Sequence, residues 1–229
     1  NSTMALTREG EVFVCGDNRW GQLARDLTVK SAEMMLVDAL SGLPIVQMFS
    51  GGCSCFVVSC SSSVYCWGKN NFGQLGIGDN RDRYGVVARN YLIGKQIVEI
   101  AVGETHCVAR GLSGSVFEWG QGETQPKPVE SLNGMNVTKI SCGRGFSIAA
   151  RQKDQEDKKE VLMAWGMNNK GQLGVGDRIN RQFPSTITPS LSGFITSIAT
   201  GSLHSIVLFS HPEQQQSPPS SSLICLTCE

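Results

Sequence analysis

The sequence predicts an all-β fold of β-propeller type, with about four blades. Three observations carry that expectation: a phrase recurring at a nearly fixed interval, a second phrase in register with it, and short apolar runs punctuated by glycine. The first phrase reads Cys15-Gly16-Asp17-Asn18-Arg19-Trp20-Gly21-Gln22-Leu23, then Trp67-Gly68-Lys69-Asn70-Asn71-Phe72-Gly73-Gln74-Leu75-Gly76-Ile77-Gly78-Asp79. A worn copy begins at Trp119-Gly120. A clear one runs Trp165-Gly166-Met167-Asn168-Asn169-Lys170-Gly171-Gln172-Leu173-Gly174-Val175-Gly176-Asp177. The glycines after Trp (Cys in the first copy) stand at 16, 68, 120 and 166, at spacings of 52, 52 and 46.

The second phrase is an apolar run ending in a glycine corner, at Gly51, Gly103-Glu104-Thr105-His106, Gly143-Arg144-Gly145-Phe146 and Gly201-Ser202-Leu203-His204. In three units this glycine follows the Trp-Gly glycine by 35 residues, and the next Trp-Gly follows by 17 twice. The third unit departs in both halves, with 23 and 23. It has lost twelve residues where the Gly-Gln-Leu-Gly loop belongs and gained six before Trp165.

Each unit reads as four short strands. Val98, Ile100 and Val102 alternate with Glu99 and Ala101, the period of a pleated ribbon. Phe56-Val57-Val58, Val64-Tyr65-Cys66-Trp67 and Val116-Phe117-Glu118-Trp119 are continuous runs suited to strands covered on both faces. Glycine recurs too often for an amphipathic helix. In Asn70-Asn71-Phe72-Gly73-Gln74-Leu75, Asn and Gly tolerate positive φ, so the chain turns sharply on leaving the strand. Leu75 and Leu173 are expected to plug the gap between blades. Trp67, Gly68, Gly73, Gln74, Trp119, Gly120, Trp165, Gly166, Gly171 and Gln172 are expected to be scaffold.

The repeats fill residues 1–210, in units near 1–50, 51–102, 103–142 and 143–200, with a further one starting at 201–210. The tail 211–229, rich in Gln, Ser and Pro, is expected to be disordered. Counting back 17 residues from Gly16 places the start of the chain inside a corner strand. The frame then holds five corner strands against four Trp-Gly strands, as expected for part of a larger ring.

Composition excludes several function classes. Twenty basic and twenty acidic residues cancel, so direct nucleic-acid binding is not expected. No run approaches the roughly 20 apolar residues of a membrane span, and the start has no signal-peptide pattern; a cytoplasmic or nuclear location is expected. Cys53, Cys55, Cys60 and Cys66 raise the question of a metal site, but the one C-x-x-C is Cys225/Cys228. Mostly buried thiols, with no metal and no cofactor, are the expectation. No Walker loop, nucleophile elbow or zinc-protease motif is present.

The phrase Trp-Gly-x-Asn-x-x-Gly-Gln-Leu-Gly-x-Gly-Asp with an upstream Gly-x-x-His, near a period of 50, resembles the regulator of chromosome condensation repeat. The resemblance implies a β-propeller, usually of seven blades, and a protein-interaction role. The founding member is the guanine nucleotide exchange factor of the GTPase Ran, so a small GTPase is the implied partner. Such a factor makes no covalent bond; it binds the nucleotide-free GTPase more tightly. Gly114 to Gly122 is similar to the secretion-regulating exchange-factor branch. Carried over, the interacting face points to Glu104, Thr105, His106, Arg144, Ser202 and His204, although Phe146 and Ser54 stand where other units have His, and the repeated Gly-x-x-His position by itself reads His106 and His204 as hydrogen-bonded scaffold. The alternative is a non-catalytic scaffold binding a protein through its loops. A charged insertion holding Lys153, Asp154, Glu156 and Asp157 would then be its docking finger.

Overall fold

The computed structural model describes residues 2–25, 30–89, 91–151, 160–187, 194–210 and 221–226. The chain divides into two compact units, 1–112 with 117–128, and 113–116 with 129–229. The first unit holds three antiparallel sheets. They are β1 (Ser2–Leu6), β2 (Val12–Gly16) and β3 (Ser31–Leu36); then β4 (Ile45–Gly51), β5 (Ser54–Ser59), β6 (Val64–Gly68) and β7 (Arg83–Arg89); then β8 (Ile97–Val102), β9 (His106–Gly111), β10 (Val116–Gly120) and β11 (Glu123–Pro128). The second unit holds β12 (Lys139–Cys142), β13 (Phe146–Arg151), β14 (Val161–Gly166) and β15 (Arg181–Ile187), then β16 (Phe194–Thr200), β17 (Ser205–Ser210) and β18 (Ser221–Leu226). Strands pair in chain order within every sheet, the meander of a propeller blade.

Each sheet after the first starts one strand ahead of the glycine corner, because β4, β8, β12 and β16 hairpin through that corner onto the next strand. The repeat units of the sequence therefore cut each of these sheets after its first strand. Within the expected tail, Ser221–Leu226 pairs with β17, and 211–220 and 227–229 lie outside the described residues.

The Trp-Gly step has one local geometry throughout. The register of the last two strands shifts between Val14 and Gly16, Cys66 and Gly68, Glu118 and Gly120, and Ala164 and Gly166. Trp67, Trp119 and Trp165 therefore sit on bulges, which re-aim a side chain. The glycines that follow have φ of +110°, +99°, +97° and +99°. A Cβ on Gly68 would also lie 2.3 Å from the Cys53 carbonyl oxygen, so both backbone and space require glycine.

The missing loop of the third unit is visible as a missing loop. Where residues 69–82 connect β6 to β7, Gln121 and Gly122 alone join β10 to β11, at φ of +53° and +102°, the signs of a type I′ hairpin turn. The cores lie between sheets. Leu23 packs with Val14 of the first sheet and Val57 of the second; Leu75 packs with Phe56 and Ile100; Leu173 packs with Ile148 and Ile195. All three leucines are buried.

Candidate functional site

Three loops are built on one peptide group. The side-chain oxygen of buried Asn70 accepts the Leu75 N–H at 2.8 Å, and its amide donates to the Asp79 carbonyl at 2.8 Å. The other side of the same peptide, the Gln74 carbonyl, faces the next sheet. There it accepts Trp119 Nε1–H at 2.7 Å and the Cys107 thiol at 3.3 Å. The first loop repeats this: Asn18 accepts the Leu23 N–H at 2.8 Å, and the Gln22 carbonyl accepts Trp67 Nε1–H at 3.0 Å and the Cys55 thiol at 3.6 Å. In the second unit Asn168 accepts the Leu173 N–H at 3.0 Å, and the Gln172 carbonyl takes the Ser205 hydroxyl at 2.8 Å. Burial pushes the Cys55 thiol up to about 12, which keeps it a protonated donor. Sequence reading assigned the Gln and Trp positions to the scaffold, took Asn70 only as a residue tolerant of positive φ, which it does not adopt, and missed the thiol and hydroxyl. Their signal is a constant separation of 33 residues from the glutamine.

The glycine corners form the second recurring element. The Gly103, Gly143 and Gly201 N–H groups each donate to the carbonyl three residues on, at 2.9 Å. A Cβ on Gly143 would lie 2.0 Å from Phe146 Cε1, and one on Gly201 would lie 2.1 Å from His204 Cε1. The ring at the histidine position thus lies over its own glycine.

Around this frame the residues expected to meet a partner separate by exposure. Glu104 and Thr105 are half-buried, while Arg144, Ser202 and His204 are exposed. In the second unit the Arg144 N–H donates to the Ser202 carbonyl at 2.9 Å, which brings those two corners together. His106 is different: it is 3% exposed, and burial pulls its imidazole down to about 4. Glu118 Oε1 stands 4.0 Å from His106 Nε2, a carboxylate beside a neutral ring. His106 belongs to the frame, and the solvent-reached chemistry of its corner is half-buried Glu104 and Thr105. Lys153, Asp154, Glu156 and Asp157 lie outside the described residues.

A groove of about 690 Å³, walled by Met35, Leu36, Val37 and Val86, is lined by none of the expected residues. Among the described residues no group of three or more His, Cys, Asp or Glu could hold a metal ion, and none of the cysteines is in a disulfide. Among the described residues, too, no helix is long and apolar enough to cross a membrane.

These sheets and loops define a propeller of tandem, loop-stapled blades, a protein-interaction module. The regulator of chromosome condensation (RCC1) repeat model matches residues 61–110 and 162–208. The chain belongs to that family of propellers. It is 34% identical over 198 residues to probable E3 ubiquitin-protein ligase HERC4 of Rattus norvegicus, covering 81% of this chain and 18% of that protein. It therefore spans less than a fifth of the length of that relative. Among solved structures, human WBSCR16 superposes with a TM-score of 0.79 at 22% identity, over 93% of this chain and 56% of that one. Prp20p of Saccharomyces cerevisiae gives 0.74 at 24% identity, over 91% and 53%.

Proposed function

We propose that this chain recognises a small GTPase through its glycine corners, as a nucleotide exchange factor or regulator. The observation that carries the reading is the split within each corner. The backbone is fixed by the same short bond in three sheets, while the side chains at the corner differ from one sheet to the next (half-buried Glu104 and Thr105, exposed Arg144, exposed Ser202 and His204). A rigid frame with variable tips is how a propeller encodes a partner. The solved Prp20p structure was described with its binding to Gsp1p and histones, and that precedent supports the GTPase reading. No covalent chemistry is required, and none of these corners offers a buried nucleophile–base pair. The second reading, a scaffold without exchange activity, is favoured by His106, whose neutral, enclosed imidazole is withheld from any partner. Labelled-GDP release from a panel of Ran- and Rab-type GTPases separates the two. Acceleration that is lost in Arg144→Ala supports exchange; capture of a GTPase without acceleration leaves the scaffold.

A further inference from the structure

At one exposed position the three glutamine loops carry different side chains on the same backbone bond. Trp20, Phe72 and Lys170 are equivalent. Each donates its N–H to the side-chain oxygen of the glutamine two residues on, at 2.9, 2.8 and 2.8 Å. Exposed Lys170 satisfies this position, so the repeat needs no aromatic ring there. Yet Trp20 is 36% exposed, whereas Trp67, Trp119 and Trp165 are at most 3%.

The Trp20 loop is also held firmly. The Tyr84 hydroxyl donates to the Arg19 carbonyl at 3.1 Å, and Gly21 packs so closely that a Cβ would lie 2.6 Å from the Arg83 carbonyl oxygen. The Lys69 ammonium stands 5.0 Å from the centre of the Trp20 ring. The carboxylates of these loops are engaged locally: Asp17 by Arg19 at 2.7 Å, Asp79 by Arg83 at 2.5 Å, and Asp82 by the Asn70 N–H at 2.7 Å. Lys69 and exposed Arg81 have no carboxylate within ion-pair distance among the described residues.

We propose that the loop tips centred on Trp20 and Lys69 dock an acidic, extended peptide segment of a partner protein. A rigid, part-exposed tryptophan supplies a large contact at little cost in ordering, and the ammonium beside it meets a carboxylate. The three interleaved carboxylates disfavour a polyphosphate chain, which needs an uninterrupted cationic track. The inference rests on reading the chain as a recognition propeller, but not on exchange activity.

The test is the anisotropy of a fluorescein-labelled synthetic peptide of aspartate, glutamate and glycine, titrated with the full chain at low salt. No GTPase is present, so failure here is distinct from failure of exchange. A lysine–glycine peptide and a single-stranded oligonucleotide serve as comparators. The acidic peptide is expected to bind most tightly, and Lys69→Glu to weaken it about 5-fold or more. Trp20→Lys copies the residue found at position 170 and so preserves the fold; it is expected to weaken binding by a similar factor despite the added charge. Absence of binding, affinity unchanged in both variants, or tighter binding of the oligonucleotide would each overturn the proposal.

Discussion

Sheets β4–β7 and β8–β11 stand in the same unit, yet one joins its last two strands through residues 69–82 and the other through Gln121-Gly122. Both sheets keep the same bulge at the Trp-Gly step. A four-stranded blade therefore closes with a two-residue turn, and the long loop has another purpose. It carries Leu75 into the space between sheets and aims the Gln74 carbonyl at Trp119. The loop is a staple between blades, not a part of either sheet.

The two sheets differ most in stability terms at Leu75. Leu75→Ala removes a fully buried plug and is expected to cost about 2–5 kcal/mol, read as a lower urea midpoint. Leu112→Ala, on an exposed residue of the loop-free sheet, is expected to change it by less than about 0.5 kcal/mol.

A pH effect of similar size is expected from His106. Its folded pKa, about 4, lies below the ordinary 6.5, so the unfolded chain binds the extra proton first. The stability from the neutral ring is complete above pH 6.5 and is lost as pH falls towards 4, by up to about 3 kcal/mol at 1.36 kcal/mol per pH unit. His106→Phe, copying buried Phe146, is expected to flatten this part of the curve; an unchanged slope in urea titrations at several pH values would assign it elsewhere.

Asn70→Ala leaves the Leu75 N–H without its buried acceptor and is expected to cost about 1–3 kcal/mol in melting experiments. The smallest effect sharpens the other side. Gln121 has a φ of +53°, so Gln121→Asn is expected to stabilise the short turn by a few tenths of a kcal/mol, about 0.5 at most. A loss of stability there would show that the turn is not the relaxed closure.

The blade architecture was legible in the sequence because Trp-Gly and the glycine corner mark strand ends by backbone necessity. The deleted loop followed from spacing alone, and Leu75 and Leu173 stood out by their place in the repeated loop. The staple was only half legible: Asn18, Asn70 and Asn168 repeat visibly, but their acceptor–donor relay runs through a main-chain peptide, which no side chain announces. Cys55, Cys107 and Ser205 shared that partner while differing in chemistry, so no motif united them. The glycine corners were legible as places and not as exposures. His106 and His204 read alike, yet the structure buries the first and exposes the second.

The most direct measurement is a double-mutant cycle on Asn70→Ala and Trp119→Phe. These two residues touch opposite ends of the Gln74–Leu75 peptide and have no bond to each other. If that peptide is the staple, each change weakens the other's bond, and the two costs fall short of additivity by about 1 kcal/mol or more. Additivity to within about 0.5 kcal/mol would mean that Asn70 merely shapes its own loop and that the blades are held together by other contacts.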